Sequence, residues 1–305
     1  MRRFILYSST LLAIALISFF AFQFKDAIVF RASRLIDENI EEEETMLLAM
    51  LDSHPKEIFS SYQAYLRAHP TRTKYCHGIL HRIGHVAVET MGWDKAMAIA
   101  NPLCGGGFIH GMIETRFGLL SVLSPKSVQT EVLATCGSPK NEICYHGIGH
   151  GLMVLFNNDD LAALQACQEV SLPGRMDCFD GIFMHIFDAE ETGVPKDSPR
   201  RAEGALFCKS LTHEQRVSCY FYLPRIFANT PMMVENAVHV CSSVTPLLHQ
   251  NICIQGSGHM FLKYMLPDTE TAMEACQSFP TAQQKICEAG ADDYKKLQES
   301  TSGPL

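Results

Sequence analysis

The chain has 305 residues, of which 47% are hydrophobic and 19% are charged, a balance that is ordinary for a folded protein with a substantial core. Its formal net charge is −8 at pH 7. We expect no nucleic-acid partner, because binding to a phosphate backbone requires clustered lysine and arginine, which this sequence lacks.

The amino-terminal segment is long and apolar. Arg2 and Arg3 precede an uncharged stretch from Phe4 to Phe24, and Lys25 follows it. As a helix this stretch would be about 31 Å long, which is enough to cross the hydrocarbon core of a bilayer. We therefore predict a signal anchor, a transmembrane helix at residues 1–25, rather than a cleaved signal peptide, because no small-x-small cleavage pattern ends the stretch.

The positive residues ahead of the predicted span place the amino terminus in the cytoplasm and the body of the protein on the extracytoplasmic side, either periplasmic or extracellular. The membrane is thus a predicted partner. Residues 26–54 include four consecutive glutamates and are expected to form an acidic juxtamembrane helix or linker. We expect residues 55–298 to form the folded domain and residues 299–305 a disordered tail.

The twelve cysteines predict a disulfide framework, since an even number in an exported chain favours complete pairing. The last ten form five close pairs, whose second members recur at intervals of 34, 41, 34 and 34 residues. A zinc–thiolate site is disfavoured because no C-x₂-C or C-x₄-C spacing occurs. The two remaining cysteines are then expected to bond to each other. The predicted bonds are Cys76–Cys104, Cys136–Cys144, Cys167–Cys178, Cys208–Cys219, Cys241–Cys253 and Cys276–Cys287.

Each close pair lies between two helix-like segments. The first segment of each hairpin has a start signal, an N-cap residue or a proline in its first turn, at Ser124-Pro125, Asp159, Ser198-Pro199, Thr230-Pro231 and Asp268. The second cysteine then opens an apolar run such as CYHGIGHGLMVLF. A period near 34 residues is typical of one helical hairpin. We therefore predict an all-α fold, a right-handed α/α solenoid of about six to seven disulfide-stapled helical hairpins behind the transmembrane helix.

A glycine recurs three residues after the second cysteine of most repeats. The positions are Gly107, Gly147, Gly181, Gly256 and Gly290, and Tyr222 takes this place in one repeat. Glycine costs about 1 kcal/mol in a helix relative to alanine, so its recurrence needs a reason. We predict that adjacent helices approach closely at these positions.

The region 55–298 resembles the disulfide-stapled Sel1-like branch of tetratricopeptide-type repeat proteins. The shared features are the paired cysteines, which would bridge the two helices of each hairpin, and the helix-packing glycine. The resemblance implies an α/α solenoid. Because Sel1-like proteins are mostly scaffolds, it also favours an interaction role, and it transfers no catalytic residue to this chain.

Histidines are concentrated in the same second helices. When the repeats are aligned on the recurring glycine, most of the histidines occupy the position one residue before it or the position three residues after it. These two positions are four residues apart and lie on one helical face. The first repeat carries the same spacing, shifted by one residue. Seven of these eight histidines fall in the first four repeats, as the following set shows: His77, His81, His85, His110, His146, His150, His185 and His259. If histidine had only a structural role at these positions, the later repeats would be expected to keep it as the first four do. We therefore predict that these histidines have a function, located in repeats one to four.

Histidines four residues apart on a helix can bind one metal ion together. With carboxylates nearby, they suit zinc, iron or copper better than calcium or magnesium. The predicted ligands are His77, His81, His110, Glu114, His146 and His150, with His85, Asp180, His185 and His259 as weaker candidates. Two adjacent ions are compatible with this number of ligands. If the protein is an enzyme, Glu114 and Asp180 are the candidates for proton transfer at a metal-activated water or dioxygen.

Other functions fit the same pattern. The histidines could form a packed polar seam between repeats, or an interface that responds to protonation near neutral pH. The whole domain could also be a non-catalytic scaffold that binds a protein or peptide partner on its concave face. Whether the protein is an enzyme stays open at this point.

Overall fold

The computed structural model describes residues 40–120, 125–137, 141–172, 174–188, 203–265 and 268–302. The predicted signal anchor at residues 1–25 lies outside the described residues. Of the predicted disordered tail at residues 299–305, residues 299–302 are helical, and residues 303–305 lie outside the described residues. Among the described helices, none is both long enough and apolar enough to cross a bilayer. The chain divides into two compact units, Met1–Asp52 and Ser53–Leu305. Within the predicted juxtamembrane segment, residues 40–53 form helix α1.

The second unit contains no strand among its described residues. Its helices alternate between a first and a second helix of a hairpin. The first helices are α2 (Ile58–Ala68), α4 (Trp93–Ile99), α6 (Pro125–Cys136), α8 (Asp160–Gln168), α10 (Gly204–Ser210), α12 (Met233–Ser242) and α14 (Thr269–Cys276). The second helices are α3 (Cys76–Met91), α5 (Leu103–Gly118), α7 (Glu142–Leu155), α9 (Gly174–Phe187), α11 (His213–Tyr222), α13 (Leu247–Met265) and α15 (Thr281–Ser302). Two 3₁₀ helices, Pro70–Tyr75 and Leu223–Phe227, flank α3 and α11.

The predicted helix start signals act as expected at Asp159, Asp268 and Pro125. At Thr230-Pro231 they do not, because the helix begins at Met233 with Met232 as its N-cap and without a side-chain cap, and the hydroxyl of Thr230 donates to the carbonyl oxygen of Phe227 instead. The side chain of Asp159 accepts a hydrogen bond from the backbone N–H of Ala162 at the start of α8. Asp268 does the same for Thr271 in α14. Helix α6 begins at Pro125, whose missing N–H costs nothing in a first turn.

All six predicted disulfides are present, and none of the twelve cysteines is free. Five of them join the end of a first helix to the following second helix. The bond between Cys76 and Cys104 differs, because it joins the starts of two successive second helices, α3 and α5. The all-α prediction and the disulfide-stapled hairpins are therefore confirmed.

The second helices pack side by side in chain order, from α3 on α5 through to α13 on α15. Helix α15 also contacts α5. The helices α5, α7, α9, α11, α13 and α15 therefore close into a ring, and the predicted right-handed solenoid is not confirmed. The 34-residue period sets the length of a hairpin but not the rotation between hairpins, so it does not distinguish an open row from a closed one.

The recurring glycines lie where the second helices touch. A methyl group on Gly181 would lie 1.9 Å from the carbonyl oxygen of His146, and one on Gly256 would lie 1.9 Å from that of Phe221. Neither distance is sterically possible, so these positions require glycine. The close helix approach predicted from the sequence is confirmed, and it brings the side chains of successive second helices within reach of one another.

Candidate metal centre

The first four second helices bring eight polar side chains together, which we call the His–Glu cluster. Its members are His77, His81 and His85 from α3, His110 and Glu114 from α5, His146 and His150 from α7, and His185 from α9. Ring centroids of His110 and His146 lie 4.9 Å apart, and those of His150 and His185 lie 5.7 Å apart. Seven of the histidines singled out in the sequence are thus neighbours in space.

Glu114 lies at the centre of the cluster and is only 6% exposed. Its Oε1 lies 3.2 Å from Nε2 of His81 and 3.4 Å from Nδ1 of His150. Nδ1 of His185 is 3.8 Å from the same oxygen. The other oxygen, Oε2, lies 3.2 Å from Nε2 of His85. Because imidazole nitrogens face both oxygens, the carboxylate could bridge two ions.

Several atoms at this centre are buried without a hydrogen bond, namely Nε2 of His81, both ring nitrogens of His150 and Oε1 of Glu114. Most buried polar atoms have a hydrogen-bonding partner, and leaving one without costs about 1–3 kcal/mol. Ligand atoms that share a tetrahedral ion, with bonds of about 2.0–2.1 Å, are about 3.3–3.4 Å apart. The observed separations of 3.2–3.4 Å match that spacing. One cation would therefore give a partner to Nε2 of His81, Nδ1 of His150 and Oε1 of Glu114.

The hydrogen bonding of His85 supports the same interpretation. Its Nδ1 lies 2.7 Å from Oγ1 of Thr115, whose hydroxyl donates to the carbonyl oxygen of Gly111 at 3.0 Å. The hydroxyl must therefore accept a hydrogen bond from Nδ1–H of His85. In a neutral ring this leaves a lone pair on Nε2, directed at the Glu114 carboxylate, and such a contact requires a proton or a metal ion. Metal-ligating histidines are commonly oriented in this way by a hydrogen bond from the opposite ring nitrogen.

Burial lowers the pKa of His110 well below its usual value, and neighbouring imidazoles such as His146 lower it further. Burial also lowers the pKa of His150, although the nearby Glu114 opposes this effect. Burial alone would raise the pKa of Glu114, but the attraction of His81 and the other imidazoles outweighs it and holds that pKa well below its usual value. Neutral rings at His110 and His150 and an ionised Glu114 are protonation states that favour metal binding.

Three groups within the cluster have their ligand atoms within 4.8 Å of one another. They are His81, His85 and Glu114; Glu114, His150 and His185; and His110, His146 and His150. Glu114 and His150 each belong to two groups. The arrangement therefore allows adjacent ions that share ligands.

The ring of second helices surrounds a cavity of about 230 Å³. Three members of the His–Glu cluster, His77, His110 and His146, line one part of its wall together with Met184, and the other five members do not line it. The lining also includes Asp180, Glu142, Asp177, Arg225, His259 and Lys263. Part of the cluster is thus accessible from the cavity, and the Glu114 part lies behind the cavity wall.

Two of the weaker candidates, Asp180 and His259, line the cavity but belong to none of the three groups. Burial raises the pKa of Asp180 to about 7. Burial also lowers the pKa of His259 well below its usual value, as do the cations Arg225 and Lys263. Nδ1 of His259 lies 3.4 Å from Nη2 of Arg225. The structure therefore does not bring these two residues to the ligand groups.

The run of three glycines before His110 forms a left-handed turn at the start of α5. Cys104, Gly105 and Gly106 have φ angles of 57°, 66° and 79°. The turn directs the carbonyl oxygen of Cys104 at His77, whose Nδ1–H donates to it at 2.8 Å. The disulfide from Cys104 to Cys76 fixes this turn beside His77. These glycines thus serve to orient a histidine.

Sequence reasoning missed Met184, whose Sδ lies 3.2 Å from Nε2 of His146. A signal was available, because Met184 follows Gly181 by three residues, just as His150 follows Gly147. It also missed Asp188, which lies 3.2 Å from both Arg225 and Lys263. No periodic pattern marks Asp188, since its partners come from two other repeats.

Comparison of the chain with protein-family models, with curated proteins and with solved structures finds no match. The resemblance to Sel1-like repeats is therefore not supported as a family relationship.

Proposed function

We propose that this is an extracytoplasmic metal-binding protein that holds transition-metal ions around Glu114, in what we call the Glu114 centre. Its ligands are His81, His150 and His185, which lie near Oε1 of the carboxylate, and His85, which lies near Oε2. The observation that carries the proposal is the set of buried ligand atoms without hydrogen bonds, which are separated by the edge length of a tetrahedral metal site.

Imidazole and carboxylate ligands favour zinc, iron or copper over calcium and magnesium. Both oxygens of Glu114 face imidazoles, so Glu114 suits the role of a ligand better than that of a proton-transfer group. Asp180 lines the cavity and has a pKa raised to about 7 by burial, so it is the better candidate for proton transfer if a reaction takes place there.

The disulfides support an oxidising, extracytoplasmic location, because cytosolic glutathione and thioredoxin keep most thiols reduced. They also narrow the chemistry of the site. With every cysteine bonded, no thiolate is available as a ligand or nucleophile. The metal-binding atoms must come from histidine, carboxylate and methionine. Attachment to the membrane and binding of a protein or peptide remain predictions.

The test is elemental analysis of the full-length protein purified without chelators, compared with Glu114→Gln and with Glu235→Gln, an exposed carboxylate on α12. We expect the parent and the Glu235 variant to hold zinc, iron or copper at about one equivalent or more per chain, and Glu114→Gln to lose most of its zinc or iron. Far-UV circular dichroism checks that the variants remain helical. A parent that neither contains nor takes up any of the three metals would rule out the proposal and favour a protonated polar seam.

A further inference from the structure

The cavity wall carries a second set of ligand atoms, separate from the Glu114 centre. His77, His110, His146 and Met184 come from four successive second helices, and all four line the cavity. Of the residues assigned to the Glu114 centre, none lines it. An ion at this wall would therefore be reached from the cavity, while an ion at Glu114 would lie behind it.

Two pairs of atoms within this set lie at the separation of ligand atoms around one ion. Nε2 of His77 lies 3.3 Å from Nδ1 of His110. A ring nitrogen of His110 and one of His146 lie within 4.8 Å of each other, which connects the two pairs. Sδ of Met184 lies 3.2 Å from Nε2 of His146. With metal–nitrogen and metal–sulfur bonds of about 2.0–2.3 Å, bound neighbours would be about 3.2–3.6 Å apart.

The orientation of His77 fits a ligand. Its Nδ1–H donates to the carbonyl oxygen of Cys104, so Nε2 of the neutral ring carries the lone pair that points toward His110. The left-handed turn at Cys104 is therefore part of the construction of this wall.

The thioether of Met184 distinguishes this wall from the Glu114 centre. Met184 is only 4% exposed and occupies the repeat position at which α5 and α7 carry His110 and His150. A thioether is a soft ligand, which suits Cu(I) and contributes little to binding Zn²⁺. Since every cysteine is in a disulfide, Met184 is the sulfur available here.

We propose that His110, His146 and Met184, with His77 beside them, form a copper(I) site on the cavity wall, distinct from the Glu114 centre. The site is entered from the cavity, whose volume of about 230 Å³ leaves room for solvent or a small ligand beside the ion. The group His110, His146 and His150 shows that one residue of the Glu114 centre also lies within reach. The two centres are thus neighbours with different ligand chemistry.

The experiment is a titration of metal-free full-length protein with Cu(I) under exclusion of oxygen, in competition with bicinchoninate. The parent is expected to remove one Cu(I) from the chelator, and Met184→Leu to bind it about tenfold more weakly or worse. Met153→Leu is the matched control, because Met153 is a buried methionine of α7 that does not line the cavity. X-ray absorption should show a sulfur ligand in the parent and in this control, and none in Met184→Leu.

Two further results separate this proposal from that of the Glu114 centre. Glu114→Gln should still bind Cu(I) as tightly as the parent while it loses its zinc or iron. A parent that binds Cu(I) through sulfur but holds no metal at Glu114 would overturn the first proposal alone. Equal Cu(I) affinity of the parent and Met184→Leu, or copper without a sulfur ligand, would overturn the second and leave the contact of His146 with Met184 as an N–H···S hydrogen bond.

Discussion

Gly111 determines how closely α5 can approach α3. A methyl group there would lie 1.9 Å from the carbonyl oxygen of His81 and 3.1 Å from the backbone nitrogen of His85. The neighbouring atoms belong to a helix backbone and cannot move aside without shifting α3. We expect Gly111→Ala to lower the free energy of unfolding by about 3 kcal/mol, the upper range for overpacking a core, as measured by urea denaturation.

The control is Gly78→Ala in α3. Gly78 is helical and meets nothing closer than Nη1 of Arg82, at 3.7 Å. Alanine should therefore stabilise the helix here by up to about 1 kcal/mol. Equal effects of the two substitutions, in sign and size, would show that the glycine of α5 does not mark a close helix contact.

Asp180 makes the stability depend on pH. Burial raises its pKa to about 7 from an unfolded value of 3.8, so the folded state binds an extra proton between about pH 4 and pH 7. The stability contributed by the protonated form is therefore lost as the pH rises through this window. We expect Asp180→Asn to raise the free energy of unfolding of the metal-free protein by about 2 kcal/mol at pH 8, a value that allows for solvent in the cavity. The gain should be smaller at pH 5, so the melting temperature should rise more at pH 8 than at pH 5.

The exposed Asp292 of α15 provides the comparison. Asp292→Asn should leave the melting temperature nearly unchanged at both pH values. If Asp180→Asn behaves in the same way, the carboxyl of Asp180 is better solvated than its position indicates.

At the scale of elements, two disulfides with different positions should have different effects. The bond between Cys76 and Cys104 holds the turn that orients His77, whereas the bond between Cys276 and Cys287 joins α14 to α15. Their sequence separations are 28 and 11 residues. The loop-entropy relation gives stabilisations of about 3.6 and about 2.8 kcal/mol.

We therefore expect the double variant Cys76→Ala/Cys104→Ala to lose both stability and Cu(I) affinity. Cys276→Ala/Cys287→Ala should lose similar stability but keep its Cu(I) affinity. Denaturation curves and the bicinchoninate competition measure the two properties separately. Unchanged Cu(I) affinity in the first variant would mean that the turn is not needed to position His77.

The sequence predicted the elements well because their signals are local. Paired cysteines, N-cap residues such as Asp159 and the glycine three residues after each second cysteine all act within one hairpin or between neighbours. The ring was not predictable in this way, since the contact of α15 with α5 joins segments far apart in the chain. Met184 was overlooked for another reason. Methionine usually fills cores, so its role as a ligand becomes visible only beside His146.

At the scale of the whole molecule, closure of the ring predicts cooperative unfolding. In an open row of repeats each hairpin depends only on its neighbours and can unravel from an end. Here α5 packs on α3, α7 and α15. The single tryptophan, Trp93, lies on α4 beside Arg116 of α5 and reports on this region. We expect its fluorescence and the far-UV circular dichroism to give coincident urea unfolding curves, and separate midpoints would argue against a closed ring.

Metal removal should affect the whole fold, because the proposed ligands come from α3, α5, α7 and α9. An ion that binds only the folded state stabilises it by about 2.7 kcal/mol when its free concentration is a hundred times its dissociation constant. A chelator should therefore lower the melting temperature of the parent, and returning the metal should restore it. Glu114→Gln should respond less to either treatment. A parent whose melting temperature ignores both treatments would contradict the binding of metal between these helices.

Closure of α15 on α5 also limits how such a protein can change its length in evolution. An open array can gain or lose a repeat at little cost, because each new unit needs only one neighbour. A seventh helix inserted into this six-membered ring would separate α15 from α5 and widen the cavity between the histidines and the opposite wall. The number of repeats is therefore fixed by geometry, and relatives are expected to vary in their loops while keeping the same number of hairpins.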